Sequence, residues 1–579
     1  MNTNTKKTKG FFFQILVELK VLLASKFNLI VAAVIILGSL AVPIVSKVQA
    51  GKENVPYYGY GDMEDIEVDG QIISVNNPQY WEVRNYTEEL KYLNEKATSK
   101  ADDLKLEYLN MLLENAVLIA AHVDSYEDYR TELSWQRQQI ITDKFIFEHL
   151  DLPKEDVIAA IQYRVYIELT EMDENYYSLS QLEVLEKISE LEEKIAVIDD
   201  IIVNNDHLAY YAYQINDRKQ NIQENLDKIA TLEQDIIESP SNEELYSDQI
   251  EQLERTNSMY TDIDIPNLEY RVEHNIVPRS GEWKDNAMQS KQNAQYNIAY
   301  NELMSEEEFE SNDYLKREYK TYAAYKKNWQ KEIDAQTEAL YVAEQSLASE
   351  KPDMDFVTDG ARKKKVNFLW YSLVIALFGA VIGGGLMAKE YQSGTIRLLL
   401  IRPKTRVKIV LSKFLALLVL CLGLYIVVDG INALMNGFLF GFGDYSFPNY
   451  SISSGAKGIN FFGFYIGNFL TCSISVLFAC CTAYFFSMVT RNTAISVAAP
   501  LVLFVASLLA MQFVRNMSSM QWFAYTPLAY VDFSTYLISD MTYWSFEPMI
   551  GLGIPMMIVL SLLFLAAGVF VSEKRDITN

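Results

Sequence analysis

The sequence predicts an all-α membrane protein: six transmembrane helices, one early and five late, with a large, mainly helical, coiled-coil-containing extracellular domain between the first and the second. Three observations carry this fold class. Apolar runs of about 20 residues, the length that crosses a bilayer, occur at 27–46, 366–387, 409–428, 461–488, 493–514 and 550–571. Half of the residues are hydrophobic, yet the formal net charge is −26, so the two kinds of residue must be segregated. The charge follows that division: residues 47–365 hold 33 Lys/Arg and 67 Asp/Glu, against 5 and 1 in 1–46 and 12 and 8 in 366–579.

Residues 1–26 read as a cytoplasmic amphipathic surface helix. Phe12, Ile15, Leu16, Leu19, Leu22 and Leu23 fall on one helical face, with Gln14, Glu18 and Ser25 on the other, the pattern of a helix lying along the inner membrane surface. The first span, 27–46, follows. Val48-Gln49-Ala50 resembles a signal-peptide cleavage site, but a long structured stretch ahead of the apolar run favours an uncleaved anchor.

Residues 47–365 form the extracellular module. After a turn-rich entry, Tyr57-Tyr58-Gly59-Tyr60-Gly61-Asp62, a short β segment is expected around 71–75, and then long Glu/Lys/Leu-rich stretches with few Gly or Pro. Val184, Ile188, Leu191, Ile195, Ile198 and Ile202 alternate steps of four and three residues, the seam of a coiled coil. Asn204-Asn205-Asp206 interrupts it, and Ile215, Ile222, Leu226, Ile229 and Ile236 continue less regularly up to Ser239-Pro240-Ser241. Two such runs predict an antiparallel helical hairpin, with self-packing favoured over recruitment of another chain. A helix at about 313–349 returns the chain to the second span. The acidity of the module argues against nucleic acid as a partner, which requires clustered Lys/Arg. It would attract cationic substrates or peptides.

Residues 366–571 carry spans two to six. Between the second and third lies a short basic segment, 389–413, with seven Lys/Arg (Lys389, Arg397, Arg402, Lys404, Arg406, Lys408, Lys413) and one acid, Glu390. Placing both termini, this segment and Arg491 on one side collects 15 Lys/Arg, while the two short loops opposite hold only Lys457 and Arg515. That asymmetry puts both termini, including the tail 572–579, in the cytosol and 47–365 outside. Arg362, Lys363, Lys364 and Lys365 run against it, abutting the second span on its outer side. Gly379, Gly383, Gly384 and Gly385 crowd the inner half of that span, where absent side chains let helices approach closely. Asp429 is an acid at the end of a span; set near the outer interface, it is expected to be solvated and structural. The aromatic-rich stretch 515–548, with Pro527, suits two short re-entrant helices.

No catalytic signature is present. The sequence lacks Gly-x-x-x-x-Gly-Lys-Ser/Thr, Gly-x-Ser-x-Gly and His-Glu-x-x-His, so the chain is expected to be no enzyme and to hold no nucleotide itself. Cys421, Cys472, Cys480 and Cys481 lie in apolar runs, where thiols act as small apolar residues. His122, His149, His207 and His274 are scattered, and no metal site is expected.

The six spans, the surface helix and the series Glu390, Gly394-Thr395, Leu399-Leu400, Pro403, Arg406 and Lys413 resemble the membrane subunit of type-2 ABC exporters, the ABC-2 permeases. The resemblance covers 11–46 and 366–579. It implies that 388–408 is a coupling loop docking on a separate cytoplasmic ABC ATPase, which would hold ATP and Mg, with Glu390, Gly394, Thr395, Arg397, Arg402, Pro403 and Arg406 at or near the contact. It further implies a second permease chain, identical or related, and an outer gate built from 515–548. The long inserted module departs from the simplest such permeases. The one-plus-five layout is also similar to the bacterial phage-infection-protein and type VII secretion accessory group.

Two functions therefore stand as expectations. The first is a permease subunit in a bacterial cell membrane, coupling a partner's ATP hydrolysis to export of a peptide, antibiotic or lipid-like substrate. The second is a cell-surface adhesion or secretion-accessory protein whose outer stalk binds an extracellular peptide or protein, with no ATPase attached.

Overall fold

The computed structural model describes residues 3–50, 64–68, 70–96, 100–161, 179–395, 405–538, 544 and 546–574. The turn-rich entry at 57–62 and the segment 396–404 lie outside the described residues. Among the described residues the fold is all-α apart from two two-stranded ribbons, and six helices are long and apolar enough to cross a membrane. The chain divides into two compact units, one of residues 1–52 with 297–579 and the other of residues 53–296. Residues 297–365 thus group with the apolar helices and not with the 53–296 unit.

Helix α1 (Thr3–Ala24) and helix α2 (Lys26–Ala50) meet at Ser25, where Asn28 Nδ2 donates to the Leu22 carbonyl at 2.9 Å. The packing of α1 inverts the simplest amphipathic expectation. Gln14 and Glu18 are buried against protein, while Phe12, Phe13, Leu16 and Val21 are exposed. The reason is electrostatic: Glu18 has a buried partner. In a bilayer the outward apolar residues would meet lipid, so the polar face is free to turn inward. Helix α2 runs on through Val48 and Gln49 and is held by Tyr371, whose hydroxyl donates to the Ile35 carbonyl at 2.6 Å beside Gly38.

In the 53–296 unit, β1 (Ile66–Val68) and β2 (Gln71–Ile73) form an antiparallel ribbon with Ile66 opposite Ile73. Helices α3 (Tyr80–Lys96), α4 (Lys100–His122), α5 (Thr131–Glu148) and α6 (Lys154–Ile161) close a core around Val83, Leu109, Phe145 and Val157. Helix α7 (Gln181–Asn204) starts with a capping box between Ser180 and Glu183, which satisfies two orphan amides of the first turn. It stops at Asn205, whose φ of 52° is left-handed. Asp206 then caps α8 (His207–Glu238). The turn after α7 is thus where the sequence places it, but the seam faces elsewhere. Ile198 and Ile202 enter a core with Leu133 of α5 and Tyr210 and Tyr211 of α8, and Leu191 is buried, whereas Val184, Ile188 and Ile195 are half-buried. Arg137–Asp199 at 2.5 Å and Lys144–Glu192 at 2.9 Å tie α7 to α5. Helix α8 turns at Pro240 to pair with α9 (Glu243–Met259) through Asn225 and Asn257. A heptad pattern specifies an apolar stripe but not which helix covers it, and here α5 covers most of it. Helices α10 (Ile265–Glu273) and α11 (Trp283–Tyr300) follow.

The returning segment is broken into α12 (Glu306–Ser311), α13 (Asp313–Tyr319) and α14 (Tyr322–Ser349). Helix α14 is fastened to loops of the apolar unit. Lys331 donates to the Trp544 carbonyl at 3.1 Å, and Ser349 bonds the Tyr450 hydroxyl at 2.6 Å. Then come α15 (Ala361–Asn367), α16 (Tyr371–Gln392), α17 (Arg406–Phe440), α18 (Phe461–Thr490) and α19 (Thr493–Val514). Between α19 and the last helix, the chain forms short helical pieces at Ser518–Tyr525 and Pro527–Tyr530 and then α20 (Ser534–Ile538). Phe523, Tyr530, Phe533 and Tyr536 of this stretch join the main apolar core. Irregular backbone there is bonded by protein, as when Ser507 Oγ donates to the Leu528 carbonyl at 2.5 Å. Helix α21 (Ile550–Lys574) ends the described chain, and its Gly553 gives room to the Tyr530 ring.

Candidate functional site

The residues expected to form a coupling surface resolve into a buried core and an exposed rim. Lys413, on the first turns of α17, is 7% exposed and lies 2.9 Å from Glu18 of α1 and 2.7 Å from Glu390 of α16. One ammonium therefore joins three segments far apart in sequence. Two carboxylates on one cation leave a local excess of negative charge, and Glu390 Oε2 is buried without a hydrogen-bond partner. Such a group needs its counterion, because an isolated ion in an apolar interior loses several kcal/mol of solvation (of order 3–5 when a partner is deleted). Glu390, expected at or near a docking surface, is 20% exposed and directs its carboxylate to Lys413. The physical reason is that Lys413 sits within an apolar run and pulls acids inward.

Gly394 and Thr395 terminate α16. Gly394 has a φ of 72°, and its amide donates to the Tyr391 carbonyl at 3.3 Å, a left-handed stop that suits glycine. Thr395 Oγ1 bonds Ser393 Oγ at 2.8 Å. Arg406 opens α17 and its guanidinium reaches the Glu573 carbonyl at 3.4 Å, near the end of α21 where a helix terminus favours a cation. Lys389 and Lys408 are exposed. Arg397, Arg402 and Pro403 lie outside the described residues.

Three of the four glycines of α16 are points of close approach. A Cβ at Gly379 would lie 2.8 Å from Cys480 Sγ, at Gly383 3.0 Å from Leu417 Cδ2, and at Gly384 2.8 Å from the Ser496 carbonyl. Together they pack α16 against α17, α18 and α19. Gly385 instead faces Lys389 of its own helix. Just beyond, Ser487 Oγ of α18 accepts from the amides of Met387 and Ala388 at 3.0 and 2.8 Å.

At the other end of α16 the structure corrects the expectation for Asp429. It is only 15% exposed: it pairs with Lys365 and accepts from the Tyr465 hydroxyl at 2.5 Å. Lys365 also lies 4.7 Å from the Tyr465 ring centroid. Arg362 is fully buried, 2.8 Å from Asp444, and donates to the carbonyls of Pro448 and Pro352 at 2.8 and 2.7 Å. Lys363 and Lys364 pair with Asp355 and Asp359 at 2.5 and 2.9 Å. Nearby, Asp353 accepts from the Tyr450 amide at 2.7 Å, and burial pushes its carboxyl above the usual carboxylate value. Every basic residue of this tetrad therefore has an aspartate.

The Glu18–Lys413 pair was absent from the expected site. Its signal was present: Glu18 is the sole acid of residues 1–46, and Lys413 interrupts an apolar run. Ionisable groups in such runs seek each other.

A family model described as "Protein of unknown function (DUF2705)" matches residues 336–578. The chain is also similar to "Uncharacterized protein YhcI" of Bacillus subtilis (strain 168), at 28% identity over 232 residues, which cover 39% of this chain and 69% of that relative. The family match takes in α15 to α21 and leaves the 53–296 unit outside.

Proposed function

We propose that this chain is the membrane-spanning subunit of an ATP-driven exporter, in which the segment joining α16 and α17 receives the push of a separate cytoplasmic ABC ATPase. The observation that carries the reading is Lys413 held between Glu18 and Glu390. Through it, a displacement of the basic segment is delivered at once to α1, α16 and α17, and the glycine face of α16 passes it on to α18 and α19. A force-receiving element needs such a stiff root, because a loop on flexible side chains would absorb the motion. The uncompensated Lys389 and Lys408 offer a basic rim to a soluble partner. In this reading the rim is cytosolic, residues 47–365 are extracellular, and ATP and Mg belong to the partner.

The cargo class is a peptide, an antibiotic or a lipid-like molecule, and a second permease chain, identical or related, completes the path. Co-purification from native membranes tests the reading. Wild-type protein should bring down a nucleotide-binding subunit, and Arg402→Glu combined with Arg406→Glu should lose it while still inserting into the membrane. Association that survives the double reversal removes the coupling role. Absence of any ATPase in the wild-type sample leaves the adhesion or secretion-accessory reading.

A further inference from the structure

Within the 53–296 unit, α3, α4 and α5 line a half-open cleft of about 540 Å³, the size of a small-molecule site (roughly 300–1,000 Å³). Five rings face it: Trp81, Tyr86, Tyr108, Tyr126 and Trp135. Tyr86 and Tyr108 belong to the buried core, and Tyr108 is pinned by Thr142 at 2.9 Å and by the Phe145 ring at 5.1 Å. They make a fixed floor. Trp135 and Tyr126, 66% and 51% exposed, stand open to solvent. A core has no use for an aromatic wall left open, whereas a cation does, since ring faces attract positive charge.

Two carboxylates complete the lining, Glu82 and Glu132. Glu132 is engaged, accepting from the Tyr210 hydroxyl at 2.7 Å and pairing with Arg279. Glu82 makes no ion pair among the described residues. The Arg84 guanidinium lies 5.8 Å from the Trp81 ring centroid, with its Nε 2.9 Å from Glu88, so this wall already takes a cation on one ring. Around the cleft, the unit carries 52 Asp/Glu against 20 Lys/Arg, a field that concentrates cations and repels anions.

We propose that this cleft binds a small organic cation with an apolar body, such as an arylalkyl ammonium, its charge balanced by Glu82 and its body laid on the aromatic wall. The proposal concerns this unit alone and is independent of the exporter reading. Isothermal titration calorimetry on the full chain in nanodiscs, with benzyltrimethylammonium as probe and benzenesulfonate as anionic control, tests it. The cation should bind saturably, one per chain, and the sulfonate should not. Glu82→Gln should weaken binding about tenfold and Trp135→Leu several-fold, with circular dichroism unchanged for the isosteric Glu82→Gln and for the substitution at exposed Trp135. No saturable binding, equal binding of the sulfonate, or binding that survives both substitutions unaltered would overturn it.

Discussion

The two basic clusters at the ends of α16 look alike in sequence and are treated oppositely by the fold. In the 362–365 tetrad each cation is matched by its own aspartate, and two of the four are buried. Among the described residues of the 389–413 end, Lys413 alone of the cations is buried, shared by two glutamates, while Lys389 and Lys408 are exposed and unpaired. The tetrad's charge is neutralised within the chain, and that of Lys389 and Lys408 is not matched by any described acid. A count of Lys and Arg therefore misjudges the tetrad unless the partners are known, which explains why it ran against the charge asymmetry of the remaining loops.

The sharpest way to break this comparison is to remove Lys413. Lys413→Met strands two carboxylates in an apolar interior and should cost about 3–5 kcal/mol, read as a large drop in melting temperature in detergent. Combining it with Glu18→Gln and Glu390→Gln should recover most of the loss, because neutral groups of similar size need no counterion. A single substitution as mild as a surface change would show that the three-way contact does not hold α1 to α16 and α17.

The tetrad offers an internal scale. Asp444→Asn, which orphans the fully buried Arg362, should again cost about 3–5 kcal/mol. Asp355→Asn, opposite the more exposed Lys363, should cost about 0–1 kcal/mol. Equal melting shifts for the two would erase the distinction between buried and exposed members.

Smaller still is the effect of the glycine face that sets how closely α16 delivers Glu390 to Lys413. Gly384→Ala places a Cβ 2.8 Å from the Ser496 carbonyl and should destabilise by about 1–3 kcal/mol. Gly423→Ala in α17 meets nothing within 4 Å and should be neutral or gain up to about 1 kcal/mol from helix propensity. Thermal unfolding of the pair separates packing from propensity.

The least effect is expected where charges are exposed. Hydrogen bonds from Lys187, and then Lys194, hold the Glu190 carboxyl down at about 2. A depressed carboxylate contributes stability that is present above its unfolded value and fades as pH falls toward the folded one. Glu190→Gln should therefore remove a small stabilisation at neutral pH, small because the carboxylate is 37% exposed and screened, and slightly flatten the loss of helicity between about pH 4.3, the unfolded glutamate value, and pH 2, where the variant and the wild type converge.

Composition and periodicity alone determined much of this protein. The six apolar helices, the helical character of the inserted module, the breaks at Asn205 and Pro240 and the basic segment after α16 were all legible, because each depends on local apolar pattern, capping or turn chemistry. Which surfaces meet was decided only by tertiary structure. The polar face of α1 turns inward to Lys413, Asp429 gives up solvent for Lys365 and Tyr465, and the α7 stripe is covered mainly by α5. Each of these contacts joins residues tens to hundreds of positions apart, and an apolar stripe or a lone charge says only that it needs a partner. The partner is chosen by the geometry that buries the most surface while leaving the fewest ions unpaired.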